Sequence, residues 1–493
     1  MLFNSFQFVL FFILVTALHF TLPHRWRWAL LLTASCYFYM AFIPLYILIL
    51  AVTIVVDYFA GRIIERTIGP KRKLFLVISL VSNVGFLAFF KYYNFLNENL
   101  RFMAYWLHWD YPVPDLTILL PIGLSFHTFQ AMSYTIEVFR GRQKAERHFG
   151  IFALYVMFYP QLVAGPIERP QNLIHQFYEE KHPEFQRMVD GLKLMLWGLF
   201  KKVVIADRLA MIVNQVYNDP TGYSGIPLWI ATYCFAFQIY CDFSGYSDIA
   251  IGAAKVMGFR LMENFRQPYG AGSIPEFWKR WHISLSTWFK DYLYIPLGGN
   301  RVSIPRWFFN LSVVFLVSGL WHGASWTFVL WGALNGIYMI ASIAFHDVRK
   351  GFTKYVALDR FPNLHKTLKI LFTFHLICFA WIFFRANSFS DAGYIVSHLF
   401  AGLGYSLSHL RQLGWHETVL LGYNIGVGKV DFIVTLALIF FMEWIHWLQR
   451  RAGGMDFWRG NPLWFRWATY YAMIVFIVLF GVDHANQFIY FQF

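Results

Sequence analysis

The chain is a succession of long apolar runs separated by short polar connections. Most of the runs are close to the ~20 residues that an α-helix needs to cross a bilayer. The pattern predicts an all-α, polytopic integral membrane protein with about ten to twelve transmembrane or re-entrant helices. The runs cover residues 6–22, 28–42, 43–61, 74–93, 116–139, 150–165, 190–213, 226–258, 308–346, 367–384, 431–447 and 467–482.

Some of these runs do not fit a single straight span. Residues 226–258 and 308–346 are too long for one crossing and contain glycine, so we expect paired or bent helices, with a break near Gly245. Residues 150–165 are short enough to be re-entrant. Irregular backbone persists at membrane depth only where protein or a water-filled cavity satisfies its polar groups. The pattern therefore indicates a cavity-forming core.

The composition supports the membrane prediction. Of the 493 residues, 58% are hydrophobic and 21% are aromatic, whereas only 14% are charged. A soluble globular protein with this composition would expose extensive apolar surface to water. So many spans leave little room for a soluble domain, and we expect one membrane domain over residues 1–493.

The net charge of +14, from 41 Lys and Arg against 27 Asp and Glu, has two explanations. In a soluble protein it would suggest a nucleic-acid partner. Basic cytoplasmic loops of a membrane protein give the same sum. We therefore expect membrane lipid, and no nucleic acid, as a partner. Arg385, at the end of an apolar run, is expected to extend to the membrane interface.

Loop charges predict the orientation of the first spans. Residues 62–73 and 140–147 are strongly basic, whereas residues 94–115 carry three acidic side chains against one arginine. By the positive-inside rule, the first two loops face the cytoplasm and the third faces out. The basic segment 24–27 is then also cytoplasmic. Residues 6–22 lack a basic start and a cleavage site, so we expect a retained first span.

The cysteines do not suggest a metal site. They occur in apolar stretches, without a Cys-x-x-Cys pair and without clustered histidines. This spacing indicates neither a disulfide framework nor a zinc site, so we expect no bound metal and interpret the cysteines as small core residues. They are Cys36, Cys234, Cys241 and Cys378.

Polar residues become frequent inside apolar runs in the middle of the chain. Ionisable groups at membrane depth are costly and usually face a cavity that has a function. We therefore place a catalytic core at roughly residues 226–346. The polar stretches are residues 238–252, 263–301 and 318–332.

His322 lies between two apolar helices, so its imidazole has no solvated face. One interpretation is a structural histidine that bonds to a backbone carbonyl. The other is a functional group, because the adjacent Gly323 permits close approach of a ligand. An imidazole is also the side chain best suited to proton transfer near neutral pH. We favour the functional interpretation.

His282 lies in an aromatic and basic segment with Trp278, Lys279 and Arg280. The simpler interpretation is an interfacial helix whose tryptophans and cations lie at headgroup level. The same cations are suited to binding the phosphates of a nucleotide-containing donor. The choice depends on whether the segment lines a cavity.

Asp242 and Asp248 are six residues apart on a predicted helix. Six residues correspond to about 600° of rotation, so the carboxylates lie on different faces and do not share a proton. A structural role is the simpler interpretation for both. Asp242 is also a candidate polar group of a tunnel wall, as are Ser244 and Asn300.

The polar stretches belong to a series of motifs that resembles a known family. The sequence is similar to the membrane-bound O-acyltransferase (MBOAT) superfamily, and in particular to its bacterial alginate O-acetyltransferase branch. The motifs occur in the family's order. They are PIGLSFHTFQAMSYTIEVFRG (121–141), FYPQLVAGPIER (158–169), QIYCDFSGYSDIAIG (238–252), ENFRQPY (263–269), EFWKRWHISLSTWFKDYLYIPLGGNR (276–301) and GLWHG (319–323).

The resemblance implies a site and an activity. His322 matches the family's invariant histidine and His282 its second catalytic histidine, both in a tunnel through the membrane. His322 would act as general base or as nucleophile. His282 would orient or polarise a carbonyl, or assist proton transfer. Lys279 and Arg280, with Trp278, would bind the donor.

The resemblance also implies a pathway across the bacterial inner membrane. Acetyl would come from a cytoplasmic thioester, with acetyl-CoA as the donor substrate and no bound cofactor. An extracytoplasmic acetyltransferase partner protein would receive it and esterify a polysaccharide such as alginate or cellulose.

Other functions remain open at this point. Peptidoglycan O-acetylation and teichoic acid D-alanylation use related chemistry. A proton-coupled transporter would also use buried histidines and aspartates, although the sequence lacks the inverted repeat of many transporters. Residues 403–429 match no motif and leave the acceptor unassigned.

Overall fold

The computed structural model describes residues 1–117, 121, 123–163, 165–402, 425–451, 461–481 and 488–489. All regular elements within these residues are helical, which confirms the all-α prediction. The α-helices are α1 (Phe6–Thr21), α2 (His24–Met40), α3 (Ile47–Arg66), α4 (Pro70–Leu87), α5 (Tyr93–Trp106), α6 (Leu124–Phe139), α7 (Phe149–Met157), α8 (Tyr159–Leu162), α9 (Pro170–Leu173), α10 (Phe185–Leu199), α11 (Asp207–Tyr217), α12 (Ile226–Met257), α13 (Ile274–Trp278), α14 (Ile283–Phe289), α15 (Ile304–His322), α16 (Trp326–Ala344), α17 (His346–Tyr355), α18 (Pro362–Arg385), α19 (Phe389–His398), α20 (Lys429–Arg451) and α21 (Leu463–Phe480).

Wider π-helical segments continue three of these helices. Ala88–Tyr92 joins α4 to α5, Phe200–Ala206 joins α10 to α11, and Lys290–Tyr294 follows α14. Such segments are rare and often occur at functional sites. Two of them place lysines among apolar helices, as described below.

Seven helical stretches of the described chain are long and apolar enough to cross a membrane, so the protein is a multi-pass membrane protein. A total of ten to twelve membrane helices and the central tunnel stay predictions. The seven stretches are Pro44–Arg66, Pro70–Trp106, Ile304–His322, Trp326–Ala344, Pro362–Arg385, Val430–Arg450 and Leu463–Phe480.

The expected break in the 226–258 run is wrong. The structure has one continuous helix there, α12, with 32 residues. A Cβ atom at Gly245 would lie 2.7 Å from the carbonyl oxygen of Gly198 in α10. Small residues allow membrane helices to approach closely. Gly245 therefore permits close packing of α12 on α10 instead of interrupting the helix.

The prediction of two helices in the 308–346 run is confirmed. α15 ends at His322, and α16 starts at Trp326 after a short turn. The two helices pack closely, because a Cβ atom at Gly319 would lie 2.3 Å from the carbonyl oxygen of Phe328. His322 consequently occupies the last position of α15, directly at the turn.

The segment that contains α7, α8 and α9 leaves one end of the bundle and returns to it. Glu146, before α7, accepts a 2.7 Å hydrogen bond from the hydroxyl of Tyr178, after α9. Both ends of the excursion therefore lie together. This geometry agrees with the re-entrant course predicted for residues 150–165.

We call the end of the bundle that carries loops 62–73 and 140–147 the basic end. Arg72 donates to the carbonyl of Phe139, and the hydroxyl of Tyr58 donates to that of Arg147 at 2.6 Å, so the loops are neighbours. The start of α2 also lies here, where Arg27 bonds to the carbonyl of Lys181 at 2.5 Å. The three predicted cytoplasmic segments therefore share one end.

Candidate active site

The two predicted catalytic histidines lie close together inside the bundle. His282 precedes α14 and is 1% exposed, and His322 ends α15 and is 4% exposed. The ring of Trp321 lies against both, with centroid distances of 6.2 Å to His282 and 4.8 Å to His322. His282 is within electrostatic reach of His322. The fold therefore joins the 276–301 and 319–323 motifs into one site.

The backbone of His282 is in the left-handed region, with φ 42° and ψ 57°. This conformation costs a residue with a Cβ atom about 1–3 kcal/mol, and it occurs most often at functional sites. Hydrogen bonds on both sides hold the turn, from Ile283 N–H to the Asn264 carbonyl at 2.9 Å and from Trp281 N–H to the Phe277 carbonyl at 2.8 Å. The turn thereby fixes the position of the imidazole.

The side chain of Asn264 fixes the tautomer of His282. Its Oδ1 accepts hydrogen bonds from the backbone N–H of Ser284 at 3.3 Å and from the Ser284 hydroxyl at 2.8 Å. Because an N–H can only donate, this amide atom is the oxygen. His282 Nδ1 lies 3.1 Å from the same oxygen and must carry its proton.

A neutral His282 then has its lone pair on Nε2. This buried nitrogen has no hydrogen-bond partner among the described residues. A buried acceptor without a partner is costly, so it is available for a substrate group. In this tautomer Nε2 accepts a hydrogen bond, and it does not donate one to a carbonyl.

Aromatic side chains enclose both imidazoles. The ring of Phe243 meets His282 edge-on at 4.6 Å, and the ring of Phe126 stacks on it at 6.2 Å. Trp331 and Phe384 pack against His322 at 4.9 and 5.2 Å. These rings keep water from the imidazoles and favour their neutral form.

Other quoted motifs connect directly to the site. Ile167 N–H donates to the hydroxyl of Ser284 at 3.0 Å, and the indole of Trp288 donates to the carbonyl of Phe129 at 2.9 Å. Phe129 also stacks on Trp321 at 5.3 Å. The site thus draws on α6 and on the re-entrant segment, both outside the predicted core of residues 226–346.

The predicted donor-binding residues lie in different settings. Trp278 packs against Trp331 at 5.9 Å, one ring away from His322. Lys279 is exposed. Arg280 is partly buried and forms a 2.5 Å ion pair with Glu276. Only Trp278 of the three is next to the aromatic enclosure.

A second guanidinium lies beside Arg280. Nη1 of Arg280 is 3.4 Å from the carbonyl oxygen of Gln267. The second guanidinium is that of Arg450, whose Nη1 donates to the Gln267 side chain at 3.0 Å. A Cβ atom at Gly270 would lie within 3.7 Å of both groups. Arg450 comes from α20, and no feature of the sequence pairs it with Arg280.

The predicted tunnel residues do not form one group. Asp242 pairs with Lys202 at 2.5 Å, and Ser244 accepts a hydrogen bond from Lys201 at 2.8 Å. Asn300 is exposed. Asp242 and Ser244 thus contact the π-helical segment after α10, while Phe243 between them contacts His282.

Sequence reasoning missed the lysines that pair with the two aspartates. Lys202 also binds Asp207 at 2.8 Å, and Lys201 binds Asp248 at 2.7 Å. The predicted orientation of Asp242 and Asp248 on different faces agrees with their separate lysine partners. The signal was available, since adjacent lysines interrupt the apolar 190–213 run.

Asn264 and His127 were also missed. Both are buried, and both lie in quoted motifs, Asn264 in 263–269 and His127 in 121–141, from which neither was singled out. The part of the chain that the structure describes has no group of three His, Cys, Asp or Glu side chains placed to hold a metal ion. The site is therefore built from imidazole, amide and aromatic groups.

These features define a multi-pass membrane protein with two neighbouring imidazoles buried inside the helical bundle. The model of the membrane-bound O-acyltransferase family matches residues 99–386, and the chain belongs to this family. It is an acyltransferase of the MBOAT type.

Relatives extend the match over most of the chain. A probable alginate O-acetylase, AlgI, of Azotobacter vinelandii is 38% identical over 84% of this chain and 80% of its own length. The protein of the same name from Pseudomonas aeruginosa is 37% identical over 88% of this chain and 80% of its own length. A peptidoglycan O-acetyltransferase of Helicobacter pylori is 36% identical over 79% of this chain and 76% of its own length.

Proposed function

We propose that the protein is the membrane O-acetyltransferase of a polysaccharide-modifying system in the bacterial inner membrane. It takes acetyl from a cytoplasmic thioester donor, acetyl-CoA, and passes it across the membrane for O-acetylation of an alginate-like or cellulose-like polysaccharide. The observation that carries the proposal is the enclosed pair of His282 and His322. The names of the relatives support the acceptor class.

In this mechanism His322 acts on the incoming hydroxyl as general base. The hydroxyl oxygen attacks the thioester carbonyl carbon while its proton passes to the imidazole. A C–O ester bond forms, the C–S bond breaks, and the departing thiolate takes the proton from the imidazolium. If the imidazole attacks first, acetyl rests on His322 before it reaches the hydroxyl.

His282 has a narrower role than the sequence suggested. With its proton held on Nδ1 by Asn264, its Nε2 accepts a hydrogen bond from an amide N–H of acetyl-CoA, because the single proton of the attacking hydroxyl goes to His322. The accepted bond holds the thioester carbon in place for the attacking oxygen, which is the kind of positioning that accelerates group transfer. Polarising a carbonyl would require a donor at Nε2, so the geometry favours orientation of the donor substrate.

The donor would bind where Arg280 and Arg450 converge. Guanidinium groups bind phosphate oxygens through two parallel hydrogen bonds, and the CoA part of the donor carries several phosphates. Lys279 adds an exposed cation next to Arg280. Trp278 lies between this region and the aromatic enclosure of His322. We assign it to the wall along the part of the donor that joins the phosphates to the thioester.

The acceptor side of the proposal includes a partner protein outside the membrane. Residues 94–115, predicted to face out, comprise most of α5, which ends the long span Pro70–Trp106, and the segment that follows it. Arg101 of α5 and Asp115 form an ion pair at 3.2 Å. An extracytoplasmic acetyltransferase would receive acetyl on this side and esterify the polymer.

Peptidoglycan is the second candidate acceptor. The Helicobacter pylori relative supports it, because its identity to this chain is close to that of the alginate relatives. The chemistry at His322 would be the same, since the partner protein would esterify the polymer in both cases. D-alanylation of teichoic acid would need a carrier-bound aminoacyl donor instead of acetyl-CoA.

Transfer in sealed vesicles tests this proposal. Labelled acetyl-CoA is placed on the face that carries the basic end, and purified partner with alginate, cellulose or peptidoglycan strands on the other. We expect label in alginate or cellulose. Label in peptidoglycan alone would support the second acceptor. A second assay replaces acetyl-CoA with a labelled D-alanyl carrier, and transfer from that carrier alone would refute O-acetylation.

A further inference from the structure

The π-helical turn between α4 and α5 contacts the end of the helix that carries His322. Nζ of Lys91 donates to the carbonyl oxygens of Trp321 at 2.7 Å and His322 at 2.9 Å. The hydroxyl of Tyr92 donates to the carbonyl of Leu320 at 2.5 Å. Three consecutive carbonyls at the end of α15 are thus bound by two adjacent side chains.

These carbonyls are the groups that a helix leaves without partners. The last four C=O groups of an α-helix have no N–H of the same helix from which to accept a hydrogen bond, and they carry the negative end of the helix dipole. A cation at this position is favourable. The structure gives Lys91 backbone carbonyls as partners, so the ammonium group is satisfied by the helix end itself.

Lys91 and Tyr92 are the last two residues of the π-helical turn Ala88–Tyr92, and both side chains reach the same helix end. A lysine in a membrane span is costly and usually has a specific function.

The same span also binds the start of α16. The indole of Trp326 donates to the side-chain oxygen of Asn99 in α5 at 3.0 Å. The turn after His322 is therefore held on both sides by the α4–α5 span. Lys91 is also within electrostatic reach of the His322 ring.

We propose that Lys91 and Tyr92 form a clamp that fixes the last turn of α15 and thereby positions the imidazole of His322 for acyl transfer. Both are positioning residues, because they act through the backbone of α15. The inference rests on the proposed function for its effect on turnover. Its structural part, the fixed helix end, is independent of the acyl group transferred.

Variants of the clamp test the effect on turnover. Lys91→Met removes the cation and keeps the side-chain length, and we expect kcat to fall about 10- to 100-fold, the range for a displaced reacting group. KM for acetyl-CoA stays within about twofold, since donor binding is not involved. Lys91→Arg restores part of the rate. Tyr92→Phe loses one bond and lowers kcat about threefold to tenfold.

Matched controls separate the clamp from general effects on the span. Lys73→Met removes an exposed lysine of α4, and Tyr93→Phe removes a hydroxyl that donates to the Pro114 carbonyl at 3.4 Å. Both should transfer acetyl at the wild-type rate. A loss in the controls equal to that in Lys91→Met would overturn the proposal.

Hydrogen–deuterium exchange measures the helix end without any transfer reaction. In Lys91→Met, amides of residues 319–323 should exchange faster, while those of α12 keep the wild-type rate. If exchange is faster in Lys91→Met but the wild-type protein transfers no acetyl, the clamp is retained and the proposed function is refuted. Unchanged exchange together with an unchanged kcat in Lys91→Met would refute the clamp.

Discussion

Two π-helical turns place lysines among apolar helices, and they differ in the groups that bind the ammonium. After α10, Lys202 is bound by the carboxylates of Asp207 and Asp242 at 2.8 and 2.5 Å. Between α4 and α5, Lys91 is bound by backbone carbonyls at the end of α15. The local distortion is similar in both turns, whereas the partners are not.

The comparison separates a structural ion network from a site component. Removing one member of a buried ion pair leaves an uncompensated charge, which lowers the free energy of unfolding. Removing a cation from a helix end leaves neutral carbonyls, so the fold persists but the position of that helix end changes. We therefore expect loss of folding at Lys202 and loss of turnover at Lys91.

The largest effect is expected from Lys202→Met. The change leaves Asp207 and Asp242 without their shared cation, and both side chains are 3% exposed. Breaking such a pair costs about 3–5 kcal/mol of folding free energy. Thermal unfolding in detergent, followed by tryptophan fluorescence, should show a large drop in Tm. Lys202→Arg keeps the charge and serves as control; a Met variant as stable as the Arg variant would contradict the distinction.

The next effect is expected from Asn264→Ala. The change removes the acceptor of the His282 Nδ1 proton, so the imidazole loses its fixed tautomer and orientation. We expect the transfer rate to fall about 100-fold, the size of effect that a misplaced positioning group has. Asn310→Ala removes another fully buried asparagine, which bonds to the Gly299 carbonyl at 3.0 Å, and it should leave the rate near wild type. Equal rates in the two variants would refute the role of Asn264.

Gly245→Ala tests the packing of α12, the helix that carries Asp242 of the ion network. The added Cβ would lie 2.7 Å from the Gly198 carbonyl oxygen, so the helices must separate. Overpacking of this kind costs about 1–3 kcal/mol. Gly393→Ala is the control, because a Cβ there meets nothing within 4 Å. The prediction fails if both variants unfold at the same temperature.

The smallest effect is expected from Arg450→Gln. The side chain is exposed, so its attraction for donor phosphate is screened by water and salt. We expect KM for acetyl-CoA to rise about threefold to tenfold, with kcat unchanged and the difference smaller at high salt. Lys350→Gln, on the exposed helix α17, should leave KM unchanged. A kcat effect without a KM effect would place Arg450 outside donor binding.

The sequence predicted the helical class and the membrane setting, because each has a local signal, whereas it paired His282 with His322 through the family resemblance. Apolar runs define spans directly, and His322 stands out within one. Charged residues within an apolar run are visible in the sequence, but most of their partners are not, since Asp242 and Asp248 lie in another helix from Lys201 and Lys202. The sequence thus gave Arg385 an interfacial position, whereas the structure buries it against Asn214 at 2.9 Å and Asn218 at 3.1 Å.

The role of Gly245 is the second point at which the structure differs from the sequence prediction. In a soluble helix a glycine weakens the element, which supported a break at Gly245. Between membrane helices a glycine also permits close approach, and the partner that decides between these roles, Gly198, lies in another helix. Of the unassigned residues 403–429, residues 403–424 lie outside the described part of the chain.

The most direct test of the central claim is acetyl transfer by His322→Ala in sealed vesicles, with labelled acetyl-CoA on the face of the basic end. Wild type and His282→Gln are measured beside it, and thermal unfolding confirms that each variant is folded. The account predicts a loss of at least about 100-fold in His322→Ala, the lower bound for removing a general base. A folded His322→Ala protein that transfers acetyl at the wild-type rate would contradict it.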